Sequence, residues 1–255
     1  MGYVLSVAIE KGGSGKTTAI WGLGEWLYRK GLKVLYVDLD AQGNLSLLLK
    51  ADPSRPTIYD VVTGTKAAIS AIQTTTQGDL IQSSPKMGDI GSILTGTGRE
   101  YRLKEVLEGL TGRYDIILID TPPAIGIQTV CALTASDGVI IPMKADILTL
   151  QGMESILGTV GSVRRYTNKT LEVLGILITD WDGRPALTKQ IAELIEARAS
   201  NVPTRVYEAR IRRGIAVQEA QATHTGLFEY APRSNPAKDM GNFSEEVAEQ
   251  IGLME

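Results

Sequence analysis

The chain has 255 residues, 43% of them hydrophobic and 22% charged, with a formal net charge of -3. These are ordinary values for a globular protein, and they exclude a strongly basic chain devoted as a whole to nucleic acid. The single cysteine, Cys131, excludes an intramolecular disulfide and a zinc site built on several thiolates, and no run of about 18 apolar residues is present to cross a membrane. The first residues, Met1-Gly2-Tyr3-Val4-Leu5, lack the basic stretch of a signal peptide. The expected location is cytoplasmic.

In chain order, Tyr3 to Ile9 is apolar and β-branched and predicts a buried strand. A glycine-rich turn leads into a helix from Lys16 to about Lys30, closed by Gly31. Lys33 to Leu39 is the next strand. The stretch from Ala51 to Thr97 is rich in Thr, Ser and Gly; it has room for short helices and a strand near Asp79 to Ser83. Further helices are predicted over Arg99 to Gly109, Thr149 to Arg165, Thr188 to Ala199 and about Pro236 to Ile251. Strands are predicted over Asp115 to Asp120, Gly138 to Pro142 and Val173 to Thr179. These strands are nearly continuous in Val, Ile and Leu, which implies burial on both faces, as in a parallel sheet. The alternation predicts a doubly wound α/β fold, with a mostly parallel sheet, helices on both faces and one domain over 1–255. Ligands of such sheets bind at the carboxyl ends of the strands.

The segment Glu10-Lys11-Gly12-Gly13-Ser14-Gly15-Lys16-Thr17-Thr18 lies between a strand and a helix, where a phosphate loop belongs. Glycines allow backbone N–H groups to turn toward phosphate oxygens, and the helix N-terminus adds a favourable partial charge. Lys16 is expected to reach the β- and γ-phosphates of ATP, Thr17 to bind Mg²⁺ and Thr18 to meet the α-phosphate. The ordinary pattern requires glycine five residues before Gly15, and Glu10 stands there.

Two acidic boxes accompany the loop. In Val37-Asp38-Leu39-Asp40-Ala41-Gln42-Gly43-Asn44, alternation along an extended segment puts Asp38 and Asp40 on one side. In Tyr114-Asp115-Ile116-Ile117-Leu118-Ile119-Asp120-Thr121-Pro122-Pro123, an apolar strand ends in Asp120, which is placed to hold Mg²⁺ directly or through water.

The Lys-Gly-Gly-x-Gly-Lys-Thr-Thr run resembles the deviant Walker A box of the superfamily of ParA, MinD and the nitrogenase iron protein. The resemblance to ParA extends through Leu150-Gln151-Gly152, Gly175 to Arg184 and Phe228 to Ser234. It implies a P-loop ATPase that hydrolyses ATP with Mg²⁺ and forms a homodimer when ATP-bound. In that dimer Lys11 acts on the partner subunit's nucleotide as an arginine finger does. It implies that Asp40 orients the attacking water and Asp38 supports the Mg²⁺ shell. It also implies nonspecific DNA binding, a ParB-like partner that stimulates hydrolysis, and a role in plasmid or chromosome partition. The adenine pocket is expected around Thr179 and Ile211 to Gly214, where this chain departs from the family's Ile-Pro-Arg-Asn.

The superfamily's other roles fit less well. One cysteine cannot supply a subunit's share of an iron–sulfur cluster, and Cys131 reads as a small buried residue on a helix. The C-terminal run from Ser244 to Glu255 is acidic, unlike a basic membrane-binding helix. Arg184, Arg210, Arg212, Arg213 and Arg233 are the candidate DNA contacts, from a region with eight Lys or Arg against five Asp or Glu. His224, the only histidine, lies in a polar stretch and reads as incidental. The alternatives are a positioning ATPase for another cargo and a regulatory protein-binding switch without DNA.

Overall fold

The computed structural model describes residues 2–200 and 202–254. Its strands are β1 (Tyr3–Val7), β2 (Val34–Asp38), β3 (Ile72–Thr75), β4 (Gly78–Ile81), β5 (Ile116–Asp120), β6 (Gly138–Lys144), β7 (Glu172–Trp181) and β8 (Val206–Arg212). They form one sheet in the order β3-β4-β2-β5-β1-β6-β7-β8. All neighbouring pairs are parallel except the β3–β4 hairpin.

Six strands fall where the apolar runs predict them. The two that were not predicted, β3 and β8, are the edges of the sheet. An edge strand is covered less completely, so it need not be continuously apolar. The run from Val206 to Arg212 includes Glu208, Arg210 and Arg212, and only Tyr207 and Ile211 of it are buried. Composition therefore conceals it.

The helices cover both faces. On one face the helices Lys16–Arg29 and Asn235–Gln250 pack Trp21, Leu27, Met240 and Phe243 against Leu5, Val7, Tyr36 and Leu118. On the other, Leu103, Leu107 and Ala132 cover Val4, Val37, Ile117 and Ile119, while Ile156 and Ile195 cover Val139, Ile141 and Ile176. The predicted helix over Arg99 to Gly109 is a 3₁₀ turn, Arg99–Tyr101, followed by Arg102–Glu108. Cys131 is buried on the helix Ile127–Ala135. Among the described residues, no helix is long and apolar enough to cross a membrane.

Glycines in the helix Lys16–Arg29 are part of this packing. A Cβ on Gly24 would overlap the Tyr36 hydroxyl, and one on Gly22 would stand 2.7 Å from Met240. The topology then positions the site. Strand β1 lies between β5 and β6; the chain leaves it toward β2 on one side and later fills the other side with β6. A crevice opens beyond the carboxyl ends at such a reversal, and the glycine-rich loop leaves β1 there.

Candidate functional site

The loop after β1 takes the backbone shape its glycines permit. Gly13 has φ 69° and Gly15 φ 90°, in the left-handed region that favours glycine. A Cβ on Gly15 would also lie 3.2 Å from Thr179 Cγ2. Thr179, on β7, donates its hydroxyl to the Ser14 carbonyl at 2.8 Å and ties the loop to the sheet. Lys16 is buried and donates to the Lys11 carbonyl at 2.9 Å. Burial lowers the proton affinity of its ammonium, while Asp120 and Asp40 oppose that shift. A phosphate beside Lys16 would complete this charge balance.

A cleft of about 650 Å³ opens over the loop, lined by Gly12 to Thr18 and by Asp40, Gln42, Asn44, Pro123 and His224. A second recess of about 310 Å³ shares Gly13, Gly15, Thr18 and Gln221 with it. This recess has an apolar wall of Leu177, Ile211, Val217 and Met240. A polar cleft continuous with a half-apolar recess of this size suits a phosphate chain joined to a flat ring. The recess falls where the adenine pocket was expected, around Thr179 and Ile211 to Gly214.

Asp38 and Asp120 end neighbouring strands and face each other in register. Both are buried, and burial together with the adjacent carboxylate raises the pKa of Asp120 far above the ordinary carboxylate range. Asp120 Oδ2 accepts from the Thr17 hydroxyl at 2.7 Å, whereas Oδ1 is buried without a partner among the described residues. Asp38 is occupied differently. It accepts from the Ser46 N–H at 2.8 Å, the Ser46 hydroxyl at 2.7 Å and the Asp40 N–H at 3.1 Å. Asp40 lines the cleft and Asp38 does not.

This donor set fits Mg²⁺. Thr17 and Asp120 supply a hydroxyl and an orphaned carboxylate oxygen, and Asp38 supplies nearby negative charge. Mg²⁺ is commonly held by one or two carboxylates, with water and phosphate completing its shell. Among the described residues, no cluster of three or more His, Cys, Asp or Glu forms a metal site.

Lys11 is absent from the cleft wall. Its ammonium donates to Asp146 at 2.6 and 2.7 Å and to Thr149 Oγ1 at 3.2 Å. Asp146 caps the helix Ile147–Tyr166, accepting from the Thr149 N–H at 3.0 Å. Partial burial acts to raise the Asp146 pKa, but the hydrogen bonds from Lys11 and Thr149 outweigh it and hold the carboxyl below its usual range. The helix can approach the loop because position 152 is glycine; a Cβ there would lie 3.0 Å from the Glu10 carbonyl.

A family model described as an AAA domain matches residues 2–173. The chain is 35% identical over 254 residues to the sporulation initiation inhibitor protein Soj of Bacillus subtilis, spanning 97% of this chain and 99% of the relative. It is 36% identical over 224 residues to the chromosome partitioning protein ParA of Caulobacter vibrioides, spanning 85% and 83%. The chain belongs to the ParA/Soj family of P-loop ATPases. Its fold matches cobyrinic acid a,c-diamide synthase from Mycobacterium smegmatis with bound ADP and magnesium, with a TM-score of 0.86, 30% identity and coverage of 99% and 96%. It also matches the cell division ATPase MinD of Pyrococcus furiosus, with a TM-score of 0.77, 25% identity and coverage of 98% and 99%.

Within this ParA-family chain the arginines are less free than their number suggests. Arg184 pairs with Asp182 at 3.0 Å, and Arg210 pairs with Glu196 at 2.6 Å while lying over the Trp181 ring. Arg212 grips Asp239 through two nitrogens at 2.8 and 2.7 Å, and Arg213 lies 3.7 Å from Asp180. Arg233 makes no ion pair among the described residues. Arg212 and Arg213 also line the smaller recess. Gln221 was not singled out from the sequence; it donates to Thr18 Oγ1 at 3.1 Å across 203 residues. His224, read there as incidental, lines the main cleft. No local pattern marks either residue.

Proposed function

We propose that this protein is a Mg²⁺-dependent ATP hydrolase that dimerises on ATP and acts in plasmid or chromosome partition. The observation that carries the reading is the division of labour between two lysines of one loop. Lys16 is buried beneath the loop, while Lys11 points away from its own cleft toward Asp146. A cation of the phosphate loop that does not face its own phosphates is available to another subunit's.

In this reading the loop N–H groups and Lys16 bind the phosphate chain, and the apolar recess takes adenine. Thr17 and Asp120 hold Mg²⁺, which neutralises phosphate charge, and Asp38 supports them. Asp40 orients the attacking water; a phosphoryl transfer of loose character needs positioning more than a strong base. Two subunits close face to face, and each Lys11 leaves Asp146 for the partner subunit's nucleotide. The γ-phosphate biases assembly because its contacts exist only in the closed dimer.

The dimer then binds duplex DNA without sequence preference. Arg184, Arg210, Arg213 and Arg233 are the candidate contacts: the exposed ion pairs of the first three are weak enough to exchange for phosphate, and Arg233 has none to give up among the described residues. Arg212, committed to Asp239 on two nitrogens, is the weakest candidate. The protein works in the cytoplasm on the nucleoid, and a ParB-like partner stimulates hydrolysis. The name of one relative supports this reading: it is a chromosome partitioning protein.

The test is binding to nonspecific duplex DNA with ADP, ATP, and ATP plus the Asp40→Ala variant, across a salt series. ATP-dependent binding that weakens steeply with salt is expected, since each neutralised phosphate releases counterions. Absence of binding in every state removes the DNA partner and moves the ATPase to another cargo.

A further inference from the structure

His224 follows the helix Ile215–Ala222 and has φ 50°. The helix end is a Schellman motif: the Thr225 N–H donates to the Ala220 carbonyl at 3.0 Å and the His224 N–H to the Gln221 carbonyl at 3.1 Å. The left-handed position of that motif is usually glycine, which occupies it without steric cost. Here a bulky side chain holds it, and unfavourable backbone conformations of this kind concentrate at functional sites.

The ring's surroundings indicate a use. His224 lines the phosphate cleft together with Gln221 and Ala222. The turn is tied to the phosphate-loop helix by the bond from Gln221 to Thr18. Within the ring, Nδ1 is buried and has no partner among the described residues. Nε2 makes no hydrogen bond among the described residues and is open to solvent. An orphaned buried N–H is disfavoured relative to an orphaned lone pair. With its proton on Nε2, the neutral ring leaves only a lone pair on the buried Nδ1 and offers a donor beside the cleft.

We propose that His224 is a nucleotide-binding residue, donating its Nε2–H to a phosphate oxygen of the bound nucleotide. This rests on reading the cleft as a nucleotide site. It adds a side-chain donor from the turn after the helix Ile215–Ala222 to a phosphate cradle otherwise made by the loop.

The experiment measures binding of Mg-ATP, Mg-ADP and adenosine to the wild-type chain and to His224→Gly, by calorimetry for the nucleotides and ligand-observed NMR for adenosine. Glycine fits φ 50°, so the thermal midpoint of the nucleotide-free variant should hold or rise. Affinity for both nucleotides should fall about tenfold, the lower range for a hydrogen bond to a charged group, with adenosine binding unchanged. His224→Asn, which tolerates this backbone and carries a shorter donor, should lie between. Nucleotide affinity within twofold of wild type in His224→Gly overturns the proposal. An equal loss for adenosine also overturns it, since that would report a disturbed base recess. Wild-type protein that binds no nucleotide at all sinks the cleft assignment itself, an outcome separate from either.

Discussion

Replacing Asp146 with asparagine should strengthen the ATP-dependent dimer. In the single subunit Lys11 donates to both Asp146 oxygens, at 2.6 and 2.7 Å. The two side chains remain 24% and 41% exposed, so solvent screens the pair and limits it to about 1 kcal/mol. Lys11 must give up this pair to reach a partner's nucleotide, and a dimer gives up two. Asp146→Asn removes the opposing charge, so the dimer should gain about 2 kcal/mol, roughly a 30-fold lower dissociation constant. The fold should tolerate the change, because asparagine also serves well as an N-cap for the helix Ile147–Tyr166. Sedimentation equilibrium with a non-hydrolysable ATP analogue measures the constant. Lys11→Ala should abolish the analogue-dependent dimer. A constant for Asp146→Asn that matches or exceeds that of the parent would refute the idea that the pair competes with dimerisation.

Asp40→Ala should retain ATP binding and accumulate as dimer while turnover falls at least 100-fold; normal phosphate release would move the water-orienting role to another carboxylate. Gly24→Ala should destabilise the fold by about 1–3 kcal/mol, because its Cβ would overlap the hydroxyl of fully buried Tyr36. An unchanged urea midpoint would show that this packing yields freely. Glu25 is buried and accepts the Phe228 N–H at 3.1 Å. Desolvation raises its pKa above the ordinary 4.5, although the N–H bonds and Arg29 oppose the rise. The folded state thus holds the proton more tightly than the unfolded chain, and this contribution to stability is lost as pH rises from about 4.5 through the raised value. Denaturant midpoints should show that slope in the wild type and a flatter one in Glu25→Gln; parallel curves would contradict the sign.

The phosphate loop was legible because its chemistry is contiguous: glycines, lysine and threonines within nine residues, flanked by a strand pattern and a helix pattern. Central strands were legible for a related reason, since burial on both faces demands unbroken apolar runs such as Ile116 to Ile119. Edge strands escape that demand, which is why β3 and β8 emerged only with the sheet. The carboxylate boxes could be located, but not the different surroundings of their members. Asp38 faces Asp120 because β2 and β5 are neighbours, and it is turned toward Ser46 while Asp40 reaches the cleft.

The remaining features join residues far apart in the chain, and no local period reports such contacts. Lys11 meets Asp146 across 135 residues, and Arg212 meets Asp239 across 27. The sequence showed a positive excess near the candidate DNA surface, while folding spent much of it on carboxylates. His224 is the clearest contrast. In one dimension it is a lone histidine among small polar residues. The hydrogen bond from Gln221 to Thr18 ties its turn to the phosphate-loop helix beside the cleft, and that contact depends on tertiary structure alone.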